Sequence, residues 1–312
     1  SRTRRRANTG RHATERTRVF MRSPSLTVPA PAKINLALHV TGRRSDGYHL
    51  IETLAVFSQT GDVLELAPAA ADALTIAGPF ADALPDGGDN LITRARDRLR
   101  ESFPQIRDRR SAIRLTKNLP VAAGIGGGSS DAAATLRGLA ALWELDADEA
   151  GLARLGVELG ADLPMCLAAR PLIARGIGDE IQHIADWPAL PLIMVNPGVA
   201  VPTQTVFAGL ERRDNAPLPA LPTRRDGQSV LDWLAKCRND LQPAAIAFAP
   251  QIAEALDLLT ACGAPLARMS GSGATCFGLY DTMEAAHRAA AMIKQERPGW
   301  FVAAGETTGS NI

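Results

Sequence analysis

The chain has 312 residues, of which 46% are hydrophobic and 21% charged, and its formal net charge is +1. This length and composition predict an ordinary globular chain of about two domains. The four cysteines form no C-x-x-C pair and no apolar run approaches the roughly 18 residues of a membrane span, so we expect free thiols, a reducing cytoplasmic compartment and no membrane association.

The charge is unevenly distributed along the chain. Residues 1–20 carry seven Arg and one Glu, a local charge of +6, whereas the rest of the chain has 27 basic and 32 acidic residues. An Arg-rich, acid-poor segment is typical of a nucleic-acid-binding arm, of a transit peptide, or of a disordered extension ahead of a start at Met21. We interpret residues 1–24 as a disordered basic arm and expect no nucleic-acid partner, because nothing downstream is basic enough to extend such a surface.

The first predicted elements are mainly strands. Residues 27–42, TVPAPAKINLALHVTG, alternate so that Lys33, Asn35, Ala37 and His39 share one face of a strand. After the turn RRSDGYH come three strands (LIETLAVFSQ, GDVLELAP and DALTIAG), the helix NLITRARDRLRESF and the strand SAIRLTKNLP. This last strand leads into a glycine-rich segment.

The glycine-rich segment is LPVAAGIGGGSSDAAATLRGL, residues 119–139. It lacks the lysine of a Walker loop and the last glycine of a dinucleotide-binding motif. What remains is a strand, a glycine loop and a helix that opens at Ser129, Ser130 and Asp131, where unpaired N–H groups and the helix dipole favour an anion such as phosphate. The alternative is a tight turn with a serine N-cap, although one or two glycines would suffice for that.

Helices dominate residues 130–170, and the proline-rich segment DWPALPLIMVNPG indicates a second domain from about 185. That region holds the segment QTVFAGL, a polar loop at 211–227, two helices, the strand region ARMSGSGATCFGLY, and a last helix and strand. The glycines of ARMSGSG are explained equally well by a close backbone approach and by a bulged strand.

Two charged residues stand out. Lys33 is one of only four lysines among 34 basic residues and lies in an apolar strand, where it either supplies a compact ammonium or extends to solvent. In LGADLP, Pro164 disfavours helix at Leu163, so Asp162 follows a helix end. Its carboxylate either projects into a cleft or caps the next helix.

Four segments, PAKINLALHVTGRRSDGYH, LPVAAGIGGGSSDAA, GADLP and RMSGSGA, together resemble the GHMP kinases, and the likeness runs in the same order from about residue 27 to 305. PAKINL and DGYH are similar to the branch whose acceptor is a cytidine diphosphate-linked methylerythritol, on the methylerythritol phosphate route to isoprenoids. Mevalonate-type members carry a Glu-His pair where this chain has ALHV. Another small-molecule kinase of the family, such as homoserine kinase, remains the alternative.

The resemblance implies an α+β fold with a GHMP kinase N-terminal domain at 25–184, like domain 2 of ribosomal protein S5, and a ferredoxin-like C-terminal domain at 185–308. It implies a transferase that uses ATP and Mg²⁺ to phosphorylate the 2-hydroxyl of the acceptor, as a monomer or homodimer.

Roles for individual residues follow from the same resemblance. Asp162 would be the catalytic base and Lys33 would polarise the acceptor hydroxyl. ATP would be bound by Gly124, Gly126, Gly127, Gly128, Ser129, Ser130, Asn90, Leu91 and Lys117. The acceptor would be bound by Asn35, Tyr48, His49, Thr203 and Phe207, with Phe207 as a stacking face for the cytosine. Asp131 stands where Asn is also expected in the family, and no residue is assigned to the metal.

Overall fold

The computed structural model describes residues 25–84 and 90–310, so the predicted arm at 1–24 lies outside the described residues. The first sheet is built by β1 (Leu26–Arg43), β2 (His49–Pro68), β3 (Ala73–Ala77), β4 (Ser111–Thr116), β5 (Leu172–Arg175) and β6 (Glu180–His183). Its helices are α1 (Leu91–Ser102), α2 (Gly127–Leu142), α3 (Glu149–Val157) and α4 (Leu163–Ala168).

The long strands β1 and β2 form an antiparallel pair that organises this sheet. The prediction of two separate strands in LIETLAVFSQ and GDVLELAP was wrong, since β2 runs unbroken for 20 residues. It pairs with β1 along its length, with β5 near its start and with β4 near its end. A Cβ on Gly61 would lie 2.3 Å from the carbonyl oxygen of Ala30, so this glycine permits a close approach of the two strands instead of ending β2.

Strand β1 is buried from residue 32 to residue 40, so neither of its faces is a solvent face. Three register shifts interrupt its pairing with β2, one of them between Asn35 and Ala37. The predicted grouping on one face therefore holds only in part. Lys33 and Asn35 line a cleft, whereas the ring of His39 contacts the carbonyl oxygen of Ala216 at 2.9 Å.

The second sheet is four-stranded and antiparallel, with the order β10-β7-β9-β8. This order is the split βαβ arrangement of ferredoxin-like folds. Between residues 227 and 261 the structure has three helices where two were predicted, because Pro250 separates α7 from α8. The strands are β7 (Pro191–Asn196), β8 (Leu266–Met269), β9 (Cys276–Leu279) and β10 (Phe301–Glu306), and the helices are α5 (Thr203–Ala208), α6 (Gly227–Leu234), α7 (Gln242–Phe248), α8 (Gln251–Ala261) and α9 (Met283–Glu296).

One apolar cluster joins the two sheets: it packs Ile34 and Leu54 of the first sheet with Leu192 and Phe277 of the second. Isolated β-bridges join Leu38 to Asn239 and Ser58 to Thr307. The boundary at 184/185 stays a prediction. Strand β1 thus lies between the two sheets, where its residues can meet loops from both.

Two smaller findings concern the cysteines and membrane spans. All four cysteines are free, and Cys166, Cys237 and Cys276 are buried. Among the described residues no single helix is long and apolar enough to cross a membrane, and only the bent pair α7 and α8 reaches that length and composition when the two are combined.

Candidate active site

Helix α2 begins inside the glycine-rich segment, two residues earlier than the sequence predicted. The helix starts at Gly127, with Gly126 as its N-cap in the left-handed conformation at φ 64°, and no side chain caps it, so the serine N-cap alternative is wrong. A Cβ on Gly126 would lie 3.3 Å from Cβ of Lys33. Glycine therefore satisfies both the positive φ and the close packing, while the first N–H groups of α2 have no acceptor within the helix.

The second glycine cluster, residues 270–275 between β8 and β9, packs directly on the first. Gly124 has φ 73°, and a Cβ there would lie 2.7 Å from the carbonyl oxygens of Ser270 and Gly273. The Ser270 hydroxyl accepts a hydrogen bond from the backbone N–H of Asn35 (3.1 Å) and donates to the carbonyl oxygen of Gly124 (3.2 Å). Of the two explanations open from the sequence, the structure shows the close backbone approach.

The two adjacent serines at the start of α2 have different surroundings. Ser130 is fully buried, and its hydroxyl donates to the carbonyl oxygen of Pro31 at 2.8 Å. Ser129 instead lines a cleft of about 610 Å³, together with Gly124, Gly126 and the other residues of the loop's open side. Only the Ser129 hydroxyl is therefore placed to meet a ligand in that cleft.

Lys33 and Asp162 form an ion pair in the same cleft, with 2.7 Å between Nζ and Oδ2. The Lys33 side chain is 5% exposed and that of Asp162 is 42% exposed. Asp162 is the N-cap residue of α4, but its side chain accepts no capping hydrogen bond, so the carboxylate is not committed to the helix. The backbone N–H of Lys33 donates to the carbonyl oxygen of Ile125, which ties β1 to the glycine loop. The pair thus presents an accessible carboxylate, held by a buried ammonium, next to the predicted phosphate site.

Asn35 lies two residues further along β1 and also lines the cleft. Its side-chain amide donates to Thr53 Oγ1 (2.8 Å), and the Thr53 hydroxyl donates in turn to the carbonyl oxygen of Ala37 (2.6 Å). The amide oxygen, Oδ1, is buried and has no hydrogen-bond partner. Because buried polar atoms are normally paired, this oxygen is a candidate acceptor for a ligand hydroxyl.

The predicted acceptor-binding residues are only partly brought together. Phe207 and Thr203 line the cleft, and the His49 ring stacks on Phe207 with centroids 4.7 Å apart. Burial, followed by the charges of Arg43 and Arg213, lowers the pKa of His49, and its Nε2 is buried without a partner.

The Tyr48 side chain is 62% exposed and does not line the cleft. In this structure His49 therefore covers one face of Phe207, and a base that stacks on Phe207 must use its other face or displace the imidazole.

A smaller pocket of about 180 Å³ adjoins the cleft and shares Leu91, Gly127 and Gly128 with it. It is also lined by Asn90, Lys117 and Asp131. The Asn90 side chain is the N-cap of α1, where its oxygen accepts from the N–H of Ile92 at 2.9 Å. The three residues predicted for the nucleotide pocket, Asn90, Leu91 and Lys117, thus meet in one small cavity beside the glycine loop.

Lys117 is buried between two carboxylates. Its Nζ lies 2.5 Å from Oδ2 of Asp62 and 2.8 Å from Oδ2 of Asp131. Oδ1 of Asp62 accepts two further hydrogen bonds, from the backbone N–H groups of Asn118 and Leu119. Burial disfavours the charged ammonium, but the two carboxylates outweigh this and raise the pKa of Lys117.

Sequence reasoning missed Thr53, Asp62 and Ser270, which support the site without themselves lining the cleft. Ser270 lies in the segment RMSGSGA, whose small residues already indicated a close approach. Thr53 and Asp62 lie inside β2, where no local pattern marks them. Their roles depend on partners 18 and 55 residues away, so no spacing rule could have found them.

Comparisons with known proteins agree with this geometry. Residues 90–170 match the family model described as the GHMP kinases N-terminal domain, and residues 218–298 match the GHMP kinases C-terminal model. The chain is 58% identical over 280 residues to a 4-diphosphocytidyl-2-C-methyl-D-erythritol kinase of Mesorhizobium japonicum, covering 90% of this chain and 95% of that protein.

Solved structures give the same result. The crystal structure of a 4-(cytidine 5'-diphospho)-2C-methyl-D-erythritol kinase has a TM-score of 0.77 and 33% identity, and the match covers 91% of this chain and all of that chain. A homoserine kinase from Cytophaga hutchinsonii reaches a TM-score of 0.64 at 18% identity, covering 93% of this chain and 96% of that one, which shows a shared fold alone. The predicted α+β GHMP kinase fold is thereby confirmed, and the chain belongs to the GHMP kinases and, within them, to the family of 4-diphosphocytidyl-2-C-methyl-D-erythritol kinases.

Proposed function

We propose that the chain transfers a phosphoryl group from ATP to the 2-hydroxyl of 4-diphosphocytidyl-2-C-methyl-D-erythritol, giving the 2-phosphate and ADP, as a cytoplasmic monomer or homodimer of the methylerythritol phosphate route. The observation that carries the proposal is the Lys33–Asp162 pair, 2.7 Å apart and beside the glycine loop in one cleft. The choice of acceptor is supported by the 58% identity of the chain to a protein named 4-diphosphocytidyl-2-C-methyl-D-erythritol kinase.

In this proposal Asp162 accepts the proton of the acceptor hydroxyl as the oxygen attacks the γ-phosphorus of ATP. The 42% exposure of its side chain leaves room for a hydroxyl to reach the carboxylate. Lys33 holds the carboxylate in place and offsets negative charge that develops on the attacking oxygen. Because phosphoryl transfer needs little covalent help from the protein, positioning and charge neutralisation account for most of the catalysis.

ATP is proposed to place its phosphates on the backbone N–H groups at the start of α2, with Ser129 beside them, and its nucleoside part in the pocket of Asn90, Leu91 and Lys117. Mg²⁺ is proposed to accompany the phosphates. The described residues contain no group of three or more His, Cys, Asp or Glu side chains that could hold a metal ion. Mg²⁺ keeps several of its waters and is commonly bound through substrate phosphates, so phosphate oxygens are the ligands we propose for it.

The acceptor is proposed to occupy the other part of the cleft. Oδ1 of Asn35, which has no partner in the protein, would accept a hydrogen bond from a hydroxyl of the methylerythritol part. Phe207 and Thr203 line that part of the cleft, with His49 stacked behind Phe207. We propose that the cytosine contacts Phe207, His49 and Tyr48, which requires the imidazole or the exposed Tyr48 side chain to move.

Mg²⁺-dependent ADP release tests the proposal, with 4-diphosphocytidyl-2-C-methyl-D-erythritol, homoserine and mevalonate compared as acceptors under identical conditions. We expect turnover with the cytidyl acceptor alone. Turnover with homoserine instead would transfer the assignment to another GHMP kinase reaction. ATP binding without turnover of any acceptor would support the nucleotide site and contradict the proposed acceptor.

A further inference from the structure

The small pocket beside the glycine loop contains one carboxylate oxygen without a partner. Asp131 is 4% exposed, and its Oδ2 accepts from Lys117 at 2.8 Å. Its Oδ1 is buried and has no hydrogen-bond partner, although Asp131 lines the pocket. Asp62, the other carboxylate on Lys117, uses both oxygens, so the unfilled capacity of this cluster belongs to Asp131 alone.

The Asp131 carboxyl is surrounded by groups from β2, the end of β4, α1 and α4. Asp62 on β2 and Lys117 after β4 are the charges that act on it most directly. The buried thiol of Cys166 on α4 lies within electrostatic reach of Asp131. From the side of α1 the pocket is lined by Asn90, whose oxygen is committed to its own helix, and by Leu91. The charged groups around Cys166 are Lys33 on β1, Asp162 before α4, Arg137 on α2 and Asp131 itself.

The charge balance of the cluster is unfavourable for an anionic ligand. With both carboxylates ionised, Asp62, Lys117 and Asp131 sum to −1 in a site from which water is largely excluded. ATP brings several negative charges to the adjacent loop. Both oxygens of Asp62 already accept hydrogen bonds, from Lys117 and from two backbone N–H groups, whereas Oδ1 of Asp131 accepts none, so Asp131 has the oxygen with room for a proton.

We propose that Asp131 contacts the bound nucleotide and carries a proton when it does so. Its Oδ1–H donates to an acceptor atom of the nucleotide, either a ring nitrogen or a phosphate oxygen, while Oδ2 keeps its hydrogen bond from Lys117. The proton comes from solvent, and the carboxylate becomes a neutral acid on binding. This inference rests on the proposed function only in that ATP occupies the small pocket.

The electrostatics of the unliganded protein point the same way. Burial raises the pKa of Asp131 to about 7, and the charge of Asp62 adds to this, whereas Lys117 lowers it. Negative charge brought by ATP raises the pKa further, since a like charge disfavours the ionised form. Above pH 7 the free protein therefore holds an ionised Asp131 that must take up a proton when ATP binds.

Two effects on ATP binding follow. Affinity for ATP falls as the pH rises through the interval between the pKa of the free protein and that of the complex, by up to about 10-fold per pH unit. Binding at pH 7.5 also takes up a fraction of a proton per ATP. In an Asp131→Asn variant, the side-chain amide donates to the nucleotide at every pH, so both effects disappear while ATP still binds.

Isothermal titration calorimetry of ATP tests this with the full chain, at fixed excess Mg²⁺ and without acceptor, from pH 6.5 to 8.5. Two buffers of different ionisation enthalpy give the number of protons taken up by the wild-type protein, so the measurement stands even if a variant fails to fold. Asp257→Asn, which changes an exposed aspartate on α8, is the matched control. We expect wild type and Asp257→Asn to share a pH slope and proton uptake that Asp131→Asn lacks.

The outcomes separate the inference from the proposed function. If wild type and Asp131→Asn show the same slope and the same proton count, the linkage belongs to ATP itself or to a water on Oδ1, and the inference is overturned. If the wild-type protein does not bind ATP at any pH, both the proposed nucleotide site and the inference about Asp131 are wrong.

Discussion

The molecule contains two lysine–aspartate groups of similar geometry and different surroundings. In the cleft, Lys33 contacts Asp162 at 2.7 Å, and beside the glycine loop Lys117 contacts Asp62 at 2.5 Å and Asp131 at 2.8 Å. The distances barely differ. The Asp162 side chain is 42% exposed, whereas those of Asp62 and Asp131 are 0% and 5% exposed.

This difference in exposure fits the roles proposed above, a reactive carboxylate at Asp162 and a supporting cluster around Lys117. An accessible carboxylate can meet a substrate hydroxyl and exchange a proton with it. The members of a buried group of charges compensate one another, and removing one leaves another without compensation in a medium of low dielectric constant. We therefore expect changes at the Lys33–Asp162 pair to alter turnover, and changes at the Lys117 cluster to alter stability and nucleotide binding.

The largest effect is expected for Asp162→Asn. The amide keeps the shape of the side chain but cannot accept the proton of the acceptor hydroxyl, so kcat should fall by about 10²–10⁴-fold. Steady-state ADP release measures kcat, and calorimetry should show unchanged ATP affinity. Asp232→Asn, on α6, is the control and should leave kcat unchanged. Full turnover in Asp162→Asn would show that the carboxylate is not the base.

Lys117→Met should act on stability instead. Methionine has a similar length and no charge, so Asp62 and Asp131 would face each other without the ammonium between them. Breaking a buried ion pair from one side costs about 3–5 kcal/mol in the free energy of unfolding, which urea denaturation measures. Lys294→Met, at an exposed position on α9, is the control. An equal loss in both variants would mean that the Lys117 cluster contributes no more than an exposed lysine.

The sequence predicted the elements of this site better than their contacts. Gly124, Gly126 and the loop around them could be predicted because a run of glycines before a helix is a local feature, and glycine allows the positive φ that both residues adopt. The family resemblance predicted that Lys33 and Asp162 act together, and the structure shows that they form an ion pair although they lie 129 positions apart, a distance that no spacing rule would bridge. The grouping of Lys117 with Asp62 and Asp131 was not predicted, because it depends on β2, β4 and α2 meeting in the folded chain.

The start of α2 shows the limit of local reasoning. Serine and aspartate are good N-caps, which favoured a helix opening at Ser129. The structure instead starts the helix at Gly127, where hydrogen bonds from the Lys33 N–H to the carbonyl oxygen of Ile125 and from the Ser130 hydroxyl to that of Pro31 hold the segment against β1. Tertiary contacts decided between two starts that differ little in local propensity.

Phe207→Ala tests whether the two ligands bind separately, as this comparison implies. The acceptor would lie in the cleft near Lys33, and the nucleoside of ATP in the adjoining small pocket near Lys117. Loss of a base–aromatic contact costs about 1–3 kcal/mol, so the KM for the cytidyl acceptor should rise while the Kd for ATP stays constant. Phe248→Ala, which removes an exposed phenylalanine of α7, should change neither. If KM and Kd rise together, Phe207 supports the packing of the cleft rather than the acceptor alone.

The most gradual effect is a pH dependence of stability from Asp131 in the unliganded protein. Its pKa is about 7 in the folded chain against 3.8 for an ordinary aspartate, so the folded state binds more protons between these values. The free energy of unfolding contributed by this group therefore falls as the pH rises from about 4 to 7, by at most about 1.4 kcal/mol per pH unit, and is constant above that range. Lys117 stays charged throughout, because its pKa is raised above its ordinary value of 10.5.

Urea denaturation of wild type, Asp131→Asn and Asp257→Asn across this range isolates the Asp131 contribution as the difference in slope between variants. The expected result is a flatter profile for Asp131→Asn and an unchanged one for Asp257→Asn. Parallel profiles for all three would mean that Asp131 is ionised in the folded chain well below pH 7. In that case the buried cluster would tolerate a net charge of −1, and burial would separate the two lysine–aspartate groups less sharply than their exposures indicate.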